Sequence, residues 1–218
     1  APLLGELAAG GGTLAVMEVS SHAIAMDRVA GLPFDVVVWT NLTRDHLDYH
    51  GTMEAYFEVK RRLVGRLRAE PPGRRVIGAD DPTMATLLDE PRAGDLAFGL
   101  GNGCTVTARE PRLSLEGTSV VLVTPAGEVP GRLPLVGNHN LHNALAAAGA
   151  ATALSLPLAA IAEGLDGARP VPGRLEPVVN TAGRFVYVDY AHTPDALDNV
   201  LACLGALAAG RLICVFGC

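Results

Sequence analysis

The chain has 218 residues, 49 % of them hydrophobic and 18 % charged, with a formal net charge of −6. That length supports one large domain or two small ones, and an acidic balance without a basic tract or aromatic-interleaved patch excludes a nucleic-acid binder. No apolar run reaches the roughly 18 residues of a membrane span, no signal peptide is visible, and Cys104, Cys203, Cys214 and Cys218 lack zinc or disulfide spacing, so they read as free thiols of a reducing cytoplasm.

Residues 13–19 and 34–39 are short, nearly continuous apolar runs, as strands buried on both faces of a parallel sheet read. Glu18 interrupts the first near its carboxyl end, the edge where doubly wound sheets bind ligands, so its carboxylate suits a cation. The plain alternative is an acid already outside the sheet and in water. The second run leads into Thr40-Asn41-Leu42-Thr43-Arg44-Asp45-His46, and Asp45–His50 packs two carboxylates and two imidazoles into six residues. Hard oxygens with an imidazole suit Mg²⁺ or Mn²⁺, although a solvated polar loop would look the same.

A helix is predicted over 51–67, capped by Thr52 with Glu54 in its first turn. At about 100° per residue, Met53, Phe57, Val64 and Leu67 form one apolar stripe, and Lys60 falls inside it. Lys60 is the only lysine, against sixteen arginines. A guanidinium cannot take up carbon dioxide, whereas a desolvated amine can, and the resulting carbamate is a carboxylate-like ligand. Glu18, His46 and Lys60, from two strand ends and the following helix, could converge on one point. A lysine that snorkels from the stripe's edge is the simpler reading.

A strand at 75–77 ends in Asp80-Asp81-Pro82. Residues 104–135 alternate β-branched stretches with Gly and Pro turns and predict antiparallel hairpins inserted in an α/β domain. Helices follow at 138–154 and 157–165, then a linker at 167–173. Beyond it a strand at 185–189, a helix at 195–208 with Thr193 as cap, and a strand at 212–216 predict a fresh strand–helix–strand unit. Asn138 and Asn140 stand where helix caps stand, whereas Asn143 lies further in and suits reading a base. Arg174 and Asp189 could hold phosphate and ribose hydroxyls, and His192 is a site residue or part of a turn. With Lys60 the only lysine, no Gly-Lys-Ser/Thr loop exists within these residues.

Taken together, Met17-Glu18-Val19-Ser20-Ser21-His22-Ala23, the run Thr40 to Tyr56, Gly137 to Ala147, Pro172-Gly173-Arg174-Leu175-Glu176, and Asp189 to Leu197 resemble the Mur ligases of peptidoglycan synthesis. They occur in the family's order and span nearly the whole chain. The runs Asp45 to Glu54 and Asp189 to Leu197 are specific to the branch that extends UDP-N-acetylmuramoyl-L-alanyl-D-glutamate by a third residue. The resemblance implies an α/β fold: the mostly parallel sheet of a P-loop-type central ATPase domain, without the P-loop itself, over 1–168, then the start of a Rossmann-like C-terminal domain over 169–218. It implies ATP as co-substrate and amide ligation through an acyl phosphate. Glu18, His46 and Lys60 (as N6-carboxylysine) would hold Mg²⁺, or Mn²⁺, with His46 and Lys60 catalytic. Asn140, Asn143, Arg174 and Asp189 would bind ATP. Ser20 and Arg28 would contact the UDP-sugar; position 26, often glutamine in the family, is Met26 and is not carried over. The implied partners are UDP-N-acetylmuramoyl-dipeptide, ATP and a diamino acid (diaminopimelate, lysine or ornithine), with the protein a monomer.

By the same comparison the chain reads as an internal fragment, cut at both ends and inactive alone, whose P-loop lies upstream of Ala1. Three other readings stay open at this point. One is a folylpolyglutamate synthase-like ligase, one a metal-dependent hydrolase built on Asp45–His50, and one a non-catalytic remnant.

Overall fold

The computed structural model describes residues 2–217, the side chains of Pro2 and Asp195 excepted. Cys218, expected as a free thiol, lies outside the described residues; Cys104, Cys203 and Cys214 are free. The main chain forms two compact units: one from the residues up to Phe34 together with Arg44–Leu67, the other from Asp35–Thr43 together with the residues from Arg68 on.

The first unit is helical, with α1 (Pro2–Ala9), α2 (Ser21–Ala25), α3 (Leu47–His50) and α4 (Met53–Arg61), the last running into a 3₁₀ turn over Arg62–Arg66. Thr52 caps α4 as expected, its Oγ1 accepting from Ala55 N at 3.2 Å. The single helix expected over 51–67 is shorter because it tightens after Arg61, where Arg62 and Arg66 both reach Asp27 Oδ1, at 3.2 and 3.0 Å. The buried line also differs: Tyr56 and Leu63 face inward, with Lys60 half-buried between them. Met53, Phe57 and Val64 flank that line, so the stripe is rotated by about one residue, 100°, from the expected one.

No strand is assigned over residues 13–19, and Leu14, Val16 and Met17 are exposed. The apolar pattern is present, but a strand needs a ladder partner for its peptide groups. Glu18 therefore sits in an irregular, exposed segment and not at a sheet edge.

In the second unit, β1 (Val36–Trp39), β2 (Arg74–Gly78) and β3 (Leu96–Phe98) form a parallel sheet in that order, Val38 opposite Val76 and Val76 opposite Leu96. In β2, Arg75, Val76, Ile77 and Gly78 are all buried, the continuous burial expected of a central parallel strand. The short helix α5 (Pro82–Ala85) follows β2. Then β4 (Thr107–Ser114), β5 (Gly117–Thr124) and β6 (Gly127–Leu133) make the expected antiparallel sheet. Next come α6 (Asn138–Ala153) and α7 (Leu158–Asp166). Val76, Phe98, Val106, Leu122, Leu145 and Ile161 form one core shared by both sheets and the two helices. Each such side chain contributes about 1.5–3 kcal/mol by leaving water. The alanines of α6 have a use: Ala144 and Ala148 are small enough to let the helix lie close on the sheet while Leu141 and Leu145 fill the gaps.

After the linker, β7 (Glu176–Pro177) and β8 (Tyr187–Val188) pair antiparallel, and α8 spans Pro194–Leu207. Val136, Leu175 and Leu204 pack together, and the Tyr187 hydroxyl donates to Leu115 O in the β4–β5 turn. The expected strand at 185–189 is thus two residues long. Residues 212–216 form no strand; Ile213, Val215 and Phe216 are exposed and lack a ladder. The strand–helix–strand unit is observed as an antiparallel pair and one helix.

The parallel sheet carries a buried ion pair. Arg75 and Asp95 side chains are 4 % and 9 % exposed, with Arg75 Nε 2.9 Å from Asp95 Oδ1 and Arg75 Nη2 donating to Asp95 and to Glu90 O. Asp95→Ala leaves a guanidinium buried without its partner and is expected to cost about 3–5 kcal/mol, whereas Asp27→Ala on the surface costs under about 1 kcal/mol. Urea unfolding of the two variants, side by side, measures the contrast.

Candidate functional site

In the first unit the polar groups gather around α3 and α4. Gly51, at φ 77, ends α3, and His46 precedes it in the left-handed region at φ 54. Histidine tolerates that conformation better than most residues. The His46 ring stands edge-on to His22 (4.9 Å between centroids) and to Tyr56 (6.1 Å), and its Nε2 is 3.4 Å from Asp45. His50 stacks on Tyr56 at 5.0 Å and places Nε2 2.8 Å from Ser21 Oγ. Lys60 Nζ lies 5.1 Å from the centre of the Tyr56 ring. Burial lowers the Lys60 pKa from its ordinary value, and the carboxylates of Glu18 and Asp45 partly offset this. Burial also lowers that of His50, helped by His22, His46 and Lys60.

Glu18, His46 and Lys60 thus fall within one unit, with Glu18 near enough to act on the Lys60 amine. Among the described residues no three His, Cys, Asp or Glu side chains stand as a metal-ligand set. A cation held here would take its third donor from a carbamylated Lys60. Two oxygen donors and one imidazole suit Mg²⁺ or Mn²⁺, so the donor chemistry fits. Ser20 caps α2, its hydroxyl accepting from Ala23 N at 3.2 Å, and Arg28 is exposed with Nη2 3.2 Å from Met26 Sδ.

The second unit contains a cavity of about 930 Å³. Asn140, Asn143, Arg174 and Asp189, the four residues expected at a nucleotide, all line it. They come from α6, from the segment after the linker and from the end of β8. The cap of α6 is Gly137, so Asn138 and Asn140 do not serve as its cap. Asn140 Nδ2 donates to Val136 O at 2.8 Å, and Asn143 Nδ2 lies 3.4 Å from Asn140 Oδ1, so the two amides are ordered together. Gly137 is required on two counts: its φ is 101, and a Cβ there would come within 2.7 Å of Cys203 Sγ. Asp189 accepts from Leu175 N and Ala191 N, both at 2.8 Å, which fixes the carboxylate at the cavity wall. His192 lies in the irregular segment before α8, with Nδ1 2.9 Å from Tyr190 O.

Sequence reasoning passed over Asp80, Asp81 and His142, which also line the cavity. Asp81 accepts from Leu42 N at 2.8 Å and from Thr83 N and Met84 N at 2.9 Å. Asp80 accepts from Leu100 N (2.7 Å) and Gly101 N (2.8 Å) and lies 2.9 Å from His142 Nε2. Their signal was present: two adjacent acids at the carboxyl end of a buried strand. Around Tyr56, sequence reasoning likewise missed the ring itself, four residues before Lys60.

A family profile described as the Mur ligase middle domain matches residues 2–151, and one described as the Mur ligase, glutamate ligase domain matches residues 173–218. The UDP-N-acetylmuramoyl-L-alanyl-D-glutamate–2,6-diaminopimelate ligase of Geobacter metallireducens is 50 % identical over 207 residues, 93 % of this chain and 40 % of its own length. The ligase of the same name from Bacillus licheniformis is 45 % identical over 94 % of this chain and 43 % of its own length. The chain therefore spans under half the length of these curated relatives. A solved structure of a ligase of that name superposes over 99 % of this chain and 44 % of its own, with TM-score 0.81 and 34 % identity.

Asp80 offers a test of the cavity rim. Burial pushes its carboxyl up, but the donations from Leu100, Gly101 and His142 outweigh that and hold it below its ordinary value of 3.8. A depressed folded pKa gives stability that is full above the unfolded value and is lost as pH falls through the folded one. Asp80→Asn is expected to cost about 1 kcal/mol at pH 7, with the gap from the parent closing below about pH 3.8. Thermal unfolding across that pH range measures it; a gap that persists unchanged into acid would contradict this account.

Proposed function

The chain belongs to the Mur ligase family, and on that footing we propose that it carries the cation-binding and nucleotide-binding residues of an ATP-dependent amide ligase that adds diaminopimelate to UDP-N-acetylmuramoyl-L-alanyl-D-glutamate. One observation carries the reading: the four residues expected at ATP, from three separate segments, line a single cavity of about 930 Å³. Diaminopimelate, in preference to lysine or ornithine, follows the names of the relatives. The domains divide at 168/169, and the enzyme acts as a monomer.

In that cavity the Asn140 and Asn143 amides would read the adenine edge, Arg174 would pair with phosphate, and Asp189 would accept from ribose hydroxyls. Each Asp189 oxygen accepts one main-chain donor and keeps a lone pair for this. The γ-phosphoryl group passes to the free carboxylate of the glutamyl substrate, breaking its bond to ADP. The incoming amine attacks the acyl carbon, and phosphate leaves from the tetrahedral intermediate. Glu18, His46 and carbamylated Lys60 would hold Mg²⁺, or Mn²⁺, which supplies charge neutralisation at the phosphoryl oxygens. Ser20, whose oxygen accepts from Ala23 N, keeps its own O–H to donate to the UDP-sugar, and Arg28 is free of the core to pair with its phosphates.

Two measurements test this. In the enzyme that bears this chain, phosphate release from ATP should require both the UDP-dipeptide and diaminopimelate, and Lys60→Arg should leave no more than about a hundredth of it at saturating bicarbonate. ATP turnover that ignores the UDP-dipeptide would overturn the substrate assignment. Separately, Arg174→Ala should weaken ADP binding about tenfold by calorimetry, the loss of one charge-assisted phosphate contact.

A further inference from the structure

Tyr56 is the buried hub of the first unit's polar cluster and has no role in the reading above. It is 6 % exposed. Three side chains lie on its ring: Lys60 Nζ at 5.1 Å, His50 stacked at 5.0 Å with the planes 22° apart, and His46 edge-on at 6.1 Å. His50 is itself anchored, because Ser21, 2.8 Å away through its Oγ, is only 1 % exposed. Ser21, His50 and Tyr56 therefore make a connected set, held from α2, α3 and α4, with the Lys60 amine over its tyrosine ring.

That matters because the modification at Lys60 is reversible. The amine nitrogen bonds to the carbon of carbon dioxide, one C=O π pair moves onto oxygen, and a proton leaves nitrogen for water. The product is a planar anion at the end of a flexible four-carbon stem, and lysine carries about 2 kcal/mol of rotamer entropy. A stem held in place keeps the anion turned toward neighbouring ligands and out of water, which favours its retention over loss of carbon dioxide. A flat, buried ring one helical turn before the lysine is a surface that restricts it.

We propose that Tyr56, backed by the Ser21–His50 contact, is a positioning residue whose ring holds the Lys60 amine and the His46 imidazole in fixed relation, so that the carbamate forms beside His46. This rests on the carbamate reading of Lys60. The ring is the operative part, and the hydroxyl is dispensable.

The test is carbon-13 NMR of the protein equilibrated with ¹³C-bicarbonate and Mg²⁺, with Lys60→Arg as the blank for the carbamate resonance. Tyr56→Phe should keep the signal within about twofold of the parent, while Tyr56→Leu should lower it at least about fivefold at equal bicarbonate. His50→Leu, which removes the stack at a half-exposed position, should lower it about threefold. Circular dichroism confirms that each variant is folded; if Tyr56→Leu is not, His50→Leu and Tyr56→Phe decide. A parent signal undiminished in both leucine variants overturns the positioning role and leaves the carbamate standing. A loss in Tyr56→Phe as deep as in Tyr56→Leu overturns the assignment to the ring. No Lys60-dependent signal in the parent overturns the carbamate reading, and the positioning role with it.

Discussion

The cavity of the second unit depends on two adjacent carboxylates at the carboxyl end of β2. Asp81 gathers the main chain of the loop after β1 and the first turn of α5, and Asp80 gathers the loop after β3 and a histidine of α6. A carboxylate that accepts several N–H groups is stabilised as an anion and in return fixes the segments that donate. Four separate pieces of chain are thereby pinned to the end of one strand. That strand cannot shift, because Val76 and Ile77 are fully buried and Arg75 is tied to Asp95. Gly78 completes the arrangement: a Cβ there would come within 2.1 Å of Thr40 O, so β2 can end beside the β1 loop only as glycine.

The fold was legible where a pattern is local. The buried run of β2, the hairpins of residues 104–135, the alanine-rich helix and the Thr52 and Thr193 caps all follow from side-chain period or from short polar signals. Pattern failed where a partner decides the outcome. Residues 13–19 and 212–216 read as strands because they are apolar, yet a ladder is a property of two segments and periodicity reports on one. The helix phase around Lys60 failed for a related reason. Hydrophobicity alone weighs Met53 and Phe57 above Tyr56, but a tyrosine with several aromatic neighbours is the better-packed residue and sets the inward line.

The site was legible in residue types and partly in grouping. Asn140, Asn143, Arg174 and Asp189 do share a cavity, and Glu18, His46 and Lys60 do share a unit. What the sequence hid is what orders them: Asp80 with His142, and Tyr56 with His50. These act through main-chain donors and ring faces, which no residue-by-residue argument weighs. The six-residue run Asp45–His50 shows the difference. It reads as a compact set of ligands, but its two imidazoles take different polar partners, Asp45 for His46 and Ser21 for His50, while both rings stand against Tyr56.

The lone lysine over a buried ring also gives the chain an unusual reactivity profile. The other basic side chains are sixteen guanidinium groups and six imidazoles, so Lys60 is the only side-chain amine that electrophiles can find here. Its half-burial against Tyr56 sorts those electrophiles by size: linear triatomic molecules can approach an amine that bulky active esters reach poorly. Cyanate has nearly the dimensions of carbon dioxide but adds to an amine irreversibly. Aged urea solutions, which contain cyanate, would therefore convert this one lysine to a stable, neutral urea, whereas the free thiols of Cys104, Cys203 and Cys214 take up cyanate reversibly.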